Sequence, residues 1–109
     1  MTTHLIDMLL GGGLDPERDL DLAAMLPLKL HQVEPANAYA PDYRIDGSDH
    51  IDIGYGWSKT ASKSGIPYLA IILQLPQGRQ VSGVAWQSPE RDGRWLAQFQ
   101  SETTVTLHS

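Results

Sequence analysis

The chain has no cysteine and only one phenylalanine among its 109 residues. Without cysteine, a disulfide scaffold, a thiolate metal site and a cysteine nucleophile are all excluded. Long hydrophobic runs are also missing, and the apolar stretch from Leu5 to Leu14 is interrupted by Asp7 and three glycines. This stretch predicts neither a signal peptide nor a membrane span. We expect a soluble, cytoplasmic protein of one core with no membrane partner.

Basic residues are scarce, with eight lysines and arginines against thirteen acids and a net charge of −5. Residues 1–52 carry net charge −7, whereas residues 53–109 carry +2. Non-specific duplex binding is disfavoured, because neutralising phosphates requires clustered cations. This charge asymmetry indicates one of two things. Either the charges keep the protein soluble, or they create an electrostatic field, negative on one side and positive on the other, that orients a charged partner.

Short segments of alternating or continuous hydrophobicity dominate from residue 28 onward. They recur about every ten residues and are separated by turns of hairpin length. They are the strand candidates Leu28–Glu34, Tyr43–Ile45, Ile51–Ser58, Tyr68–Leu75, Val81–Gln87, Trp95–Phe99 and Thr103–Leu107. The pattern predicts an all-β domain of six or seven strands, an antiparallel meander curled into a sandwich or small barrel. An α+β fold is the alternative.

Alternation in the third candidate strand separates two sets of side chains. Ile51, Ile53, Tyr55 and Trp57 share one face, which predicts that this face is the core side. The opposite face carries two glycines, which suggests a bend, a bulge or the close approach of another backbone.

The N-terminal region, residues 1–25, is predicted to be an extension of the β domain at 26–109. Residues 2–10 have the spacing of a short helix, and three glycines at 11–13 would end it as a hinge. For residues 15–25, a turn followed by an extended segment is favoured, because Leu20, Leu22 and Ala24 alternate. A helix over 16–25 is the alternative, because Asp15 and Pro16 are good helix-start residues.

Five short motifs follow one another along the chain: Ala40-Pro41-Asp42-Tyr43-Arg44, Ile53-Gly54-Tyr55-Gly56-Trp57, Lys59-Thr60, Ser64-Gly65 and Tyr68-Leu69-Ala70-Ile71. Together they resemble the domain of unknown function 736 family of small bacterial proteins. The resemblance covers about residues 26–100. It implies an association with conjugative and other mobile elements and no established enzyme activity. Gln74-Leu75-Pro76 and the acidic N-terminal extension depart from the family pattern.

Acidic residues are the first candidate binding site. Together with an apolar contact they would favour a basic partner protein, by electrostatic steering and by mimicking phosphates. The hypothesis is a non-enzymatic interaction module of a mobile element, inhibiting a host nucleic-acid-handling or defence complex of the anti-CRISPR type. The candidate residues are Asp15, Glu17, Asp19, Asp21, Asp46, Asp49 and Asp52.

Basic and aromatic residues of the second half give an alternative site. Aromatic side chains on a sheet beside cations suit single-stranded nucleic acid, whose bases stack and whose phosphates need neutralising. The candidates are Lys59, Lys63, Tyr68, Arg79, Arg91 and Arg94, and we expect only weak binding from so few cations.

A third hypothesis is a metal-dependent enzyme using His50 and the nearby aspartates. Their spacing matches no calcium loop, and a polar hairpin turn accounts for it equally well. The four histidines are dispersed without a zinc motif, and no nucleophile elbow occurs. We therefore expect no catalytic residues, metal or cofactor. Exposed strand edges or the N-terminal segment would favour a homodimer.

Overall fold

A computed structural model describes residues 3–8, 20–89 and 93–104. Within these residues the chain forms seven strands, one short α-helix and a 3-10 turn at Pro76–Gly78. The elements are β1 (Thr3–Met8), α1 (Leu20–Met25), β2 (Leu28–Gln32), β3 (Tyr43–Asp46), β4 (Gly54–Thr60), β5 (Pro67–Gln74), β6 (Arg79–Gln87) and β7 (Arg94–Thr104).

The seven strands close into a barrel, which confirms the all-β prediction. Strands β2 to β7 form an antiparallel meander in chain order. Strand β1 completes the ring between β2 and β7, running antiparallel to β2 and parallel to β7. Its residues Leu5 and Ile6 lie opposite Arg94 and Trp95 in the parallel pairing.

The helix predicted over residues 2–10 is wrong, because residues 3–8 form strand β1. A helix this short has little stability of its own. As a strand, the segment hydrogen-bonds on both sides and buries Ile6, which is 4% exposed. The described helix is α1, so the alternative of a helix within 16–25 is confirmed for residues 20–25 and the extended segment there is wrong. The glycine hinge at 11–13 lies outside the described residues.

The barrel interior is filled with side chains, so its centre is a core and not a channel. Phe99, Leu30 and Ile45 are among its fully buried members. Helix α1 covers one end of the barrel with Leu22 and Met25, both buried. The Ser48 amide donates to the Met25 carbonyl at 3.0 Å, which ties α1 to the segment after β3.

Strand β4 faces the core with Gly54 and Gly56, the reverse of the predicted orientation. Tyr55 and Trp57 point outward and are half-buried, and Ile51 is 77% exposed. The predicted alternation was counted from Ile51, but β4 begins only at Gly54, and Asp52 in the preceding segment has a left-handed backbone with φ of 60°. Ile53 alone of the four predicted core residues packs against the core.

The two inward glycines of β4 differ in the space around them, which generates a testable prediction. A Cβ on Gly54 would lie 2.4 Å from the Ile72 carbonyl oxygen, whereas on Gly56 its nearest neighbour would be an Ile71 methyl at 3.4 Å. We expect Gly54→Ala to lower the free energy of unfolding by about 2 kcal/mol or more, and Gly56→Ala by less than about 1 kcal/mol. Urea denaturation measures both, and equal losses would contradict this account.

Candidate functional site

Asp46, at the end of β3, is the centre of a polar cluster on the outer surface of the barrel. Its side chain is 8% exposed. It accepts hydrogen bonds from Nε and Nη2 of Arg44, each at 3.0 Å. His31 Nε2 lies 2.8 Å from Asp46 Oδ2. The backbone amide of Asp52 donates to Asp46 Oδ1 at 2.8 Å. One carboxylate therefore connects β2, β3 and the segment that follows β3.

The charge state of Asp46 follows from these contacts. Burial alone would raise the pKa of this carboxyl group, but the Asp52 amide and the Arg44 guanidinium outweigh burial and hold its pKa below the ordinary value of 3.8. Asp46 is consequently ionised at neutral pH with its oxygens occupied inside the chain. It positions neighbouring residues, and its carboxylate is buried, whereas the acidic hypothesis requires it to be exposed to a partner.

The segment that Asp46 holds is residues 48–52, which we call the acidic loop. The turn is closed where the Gly47 amide donates to the His50 carbonyl at 2.7 Å. Asp49 and Asp52 are exposed on it, and Ile51 stands between them. The Tyr55 hydroxyl donates to the Asp52 carboxylate, which raises the pKa of Tyr55 above its ordinary value of 10.0. The loop is thus fixed at both its backbone and its last side chain.

At the opposite end of β4, the outer face carries a depression that we call the apolar groove. Its volume is about 310 Å³. Ile66, which precedes β5, is 60% exposed at its rim. The groove is lined by Ala61, Ser64, Ile66, Tyr68, Val84 and Trp86.

Two exposed lysines stand beside the apolar groove. Lys59 of β4 is directly opposite Tyr68 of β5 in the strand register, and Lys63 lies in the turn between Ala61 and Ser64. Within the described residues, neither lysine forms an ion pair with a carboxylate. Their charges are therefore available to an incoming anionic group.

The arginines of the nucleic-acid hypothesis are placed differently. Arg79 pairs with Asp21 of α1 at 2.9 Å, and Arg94 makes a two-pronged contact with Asp7 of β1 at 2.8 and 2.6 Å. These pairs hold α1 and β1 to the barrel. Of the predicted set, the structure brings together Lys59, Lys63 and Tyr68, while Arg91 lies outside the described residues.

The predicted acidic set is also divided. Asp49 and Asp52 are adjacent and exposed, Asp46 is buried beneath them, and Asp21 is engaged by Arg79. Asp15, Glu17 and Asp19 lie outside the described residues. Among the described members of this set, Asp49 and Asp52 on the acidic loop are thus the two that are both exposed and clustered.

Several residues of these surfaces were not predicted from the sequence. Alternation in β6 does separate Val84 and Trp86 from the buried Val81 and Ala85. That pattern alone does not reveal which face lines a groove. Ile51 was predicted in the core because it begins the alternating segment Ile51–Ser58. No sequence signal placed His31 beside Asp46, since their contact depends on the register of β2 against β3.

Within the described part of the chain, no group of three or more histidines and acids is arranged to hold a metal ion. His50, the histidine of the metal hypothesis, is exposed on the acidic loop.

No helix in residues 3–8, 20–89 or 93–104 has both the length and the hydropathy needed to cross a lipid bilayer.

The protein is a small, closed β-barrel domain with a filled interior. Its exposed apolar and charged groups are on the outside, so its candidate sites lie on its surface. The profile of the DUF736 family, described as a protein of unknown function, matches residues 19–100. The chain belongs to this family. No curated protein and no solved structure matches it.

The contacts of Asp46 predict an acid-dependent loss of stability. We expect Asp46→Asn to lower the free energy of unfolding at pH 7 by about 1.5–3 kcal/mol, the usual range for hydrogen bonds to a charged group. Because the folded-state pKa is depressed, the advantage of the native carboxylate is complete above the unfolded-state pKa. It is lost as the pH falls below about 3.8 through the folded-state value.

Urea unfolding at pH 7, 5 and 3 measures this difference between the native chain and Asp46→Asn. Asp49→Asn removes the same charge from the exposed part of the loop and should stay within about 0.5 kcal/mol of the native chain. A difference for Asp46→Asn that does not shrink between pH 5 and 3 would contradict the account.

Proposed function

We propose that this protein is a non-enzymatic binding module that acts through a partner protein and contacts it with the acidic loop. The observation that carries the proposal is the exposure of Ile51, which is 77% accessible between the exposed carboxylates of Asp49 and Asp52. An apolar side chain surrounded by charged groups matches the apolar centre and polar rim of protein interfaces.

The construction of the loop supports this role. The Asp46 carboxylate fixes the Asp52 amide, and Tyr55 fixes the Asp52 side chain. A loop that is already ordered loses less conformational entropy on binding, so more of the contact energy appears as affinity. Two carboxylates beside Ile51 favour a partner with lysines or arginines around an apolar pocket.

We further propose that the partner is a basic protein of a host nucleic-acid-handling or defence complex, and that the setting is a mobile genetic element. The net charge of −7 over residues 1–52 supports a basic partner. The mobile-element setting rests on what the family resemblance implies, and inhibition is the simplest effect of an acidic surface that occupies a nucleic-acid channel.

A comparative pull-down from a lysate of the native host tests the partner surface. We expect a basic protein to be retained by the native chain and reduced about tenfold with Ile51→Ser, because the central apolar contact is removed. Ile66→Ser is the matched control, since it removes an exposed isoleucine of the apolar groove. Asp49→Asn should weaken retention, whereas Glu34→Gln, an exposed acid on another loop, should not. Equal retention by Ile51→Ser and Ile66→Ser would refute this surface.

A second candidate function is weak binding of single-stranded nucleic acid on the outer face of β4–β6. One observation favours it: Lys59 stands opposite Tyr68, beside the outward aromatic side chains of Trp57 and Trp86. Bases stack on such rings while lysines contact phosphates. With Arg79 and Arg94 engaged by Asp21 and Asp7, Lys59 and Lys63 are the two cations that the described residues place on this face, so the affinity should be low.

An oligonucleotide mobility shift at about 50 mM salt tests the second candidate, since screening weakens phosphate contacts at higher salt. We expect a shift with the native chain that disappears in the double variant Lys59→Glu, Lys63→Glu. Lys29→Gln, which removes a cation from β2, should retain it. No shift of the native chain at this salt would exclude the second candidate.

A further inference from the structure

The acidic loop and the apolar groove have complementary chemistry and lie at opposite ends of one strand. The loop presents Ile51 with two aspartates, and the groove presents an apolar depression with two lysines that are unpaired within the described residues. We propose that two copies of this chain associate face to face, each inserting its acidic loop into the apolar groove of the other.

The groove matches the loop in size and polarity. Its volume of about 310 Å³ is at the small end of the roughly 300–1,000 Å³ typical of ligand pockets. It therefore suits one aliphatic side chain and its neighbours better than a large cofactor. With Ile51 in the groove, Asp49 and Asp52 of one copy come beside Lys59 and Lys63 of the other. Burial of Ile51 and Ile66 would remove two exposed isoleucines from water.

The placement of the two surfaces allows both contacts to form at once. Strand β4 runs from Gly54, beside the loop, to Thr60, beside the groove, which is about 20 Å at the usual rise per residue. The Tyr55 side chain that holds Asp52 and the Tyr68 side chain of the groove both belong to the outer face of the β4–β5 pair. Two such faces in antiparallel orientation bring each loop to the other copy's groove.

That arrangement has two-fold symmetry and closes at a dimer, because the same pair of patches is used on both copies. Between the two contacts lie outward-facing side chains of the same sheet, Trp57 and Ala70, which are partners in the register of β4 and β5. They are half-buried in the single chain and would become covered in the dimer.

Self-association goes beyond the partner binding proposed above and uses the same loop. A copy whose loop occupies a second copy's groove cannot present Ile51 to another protein. The dimer would therefore be a storage form that competes with the partner. Self-association and partner binding can be refuted independently, because self-association is measured on the pure protein without any partner.

Sedimentation equilibrium over a range of concentrations tests the dimer directly. We expect the native chain to shift from monomer to dimer as concentration rises, and the dissociation constant to increase with salt, because charge pairs at a rim are screened. A native chain that stays monomeric at every concentration up to about 1 mM, where binding is negligible on the scale of specific complexes, would overturn the proposal.

Charge reversal on each surface identifies the contacts. The groove variant is Lys59→Glu with Lys63→Glu. The loop variant is Asp49→Lys with Asp52→Asn, in which asparagine tolerates the left-handed backbone and keeps an acceptor for Tyr55. Alone, each variant should dimerise at least about tenfold more weakly, since like charges then face each other. Circular dichroism and urea unfolding confirm that each variant is folded.

An equimolar mixture of the two variants provides the decisive measurement. Each loop then meets a groove of opposite charge at both contacts, so a heterodimer should form where neither variant alone does. Separate weakening without recovery in the mixture would refute loop-to-groove pairing, as would no effect of either variant. A monomeric native chain whose oligonucleotide shift depends on Lys59 and Lys63 would assign the groove to nucleic acid instead.

Discussion

The close approach of β4 to β5 is the constraint on which the outer surface of this protein depends. At Gly54 there is no room for a Cβ, since the Ile72 carbonyl oxygen would lie 2.4 Å away. A barrel of seven strands has little internal volume, and here β4 contributes backbone rather than side chains to it. The large side chains of the strand, Tyr55 and Trp57, are consequently turned outward. The same orientation places Lys59 beside Tyr68.

Much of the fold could be predicted from hydrophobic spacing. The apolar run at Tyr68–Leu75 and the alternation at Trp95–Phe99 mark strands whose inward residues are indeed buried. The prediction failed where short-range patterns are compatible with two structures. Residues 3–8 have helical spacing, but their pairing with β2 and β7 depends on strands distant in sequence. For β4, the prediction of which face is inside was wrong because the alternation was counted from Ile51, which lies before the strand begins at Gly54.

The candidate surfaces were only partly predictable. Sequence alone separates the aspartates near residue 50 from the lysines near residue 60, and both clusters are exposed in the structure. It does not distinguish Asp46, which is buried and organises the loop, from Asp49, which is exposed. That distinction arises from tertiary contacts with His31 and Arg44. Likewise, the sequence does not distinguish arginines that are available to a ligand from those that are paired with Asp7 and Asp21. That distinction requires the strand register of the barrel.

The parallel pairing of β1 with β7 has a consequence for how the chain reaches its native state. The first strand and the last strand described are neighbours, with Leu5 opposite Arg94. The partners lie far apart in sequence, and such long-range contacts slow folding. On the ribosome, β1 emerges before β7, so this contact can form only after β7 has been synthesised. Until β7 forms, one edge of β1 and the free edge of the growing meander stay uncovered, so this interval is when a nascent chain is most prone to intermolecular strand pairing.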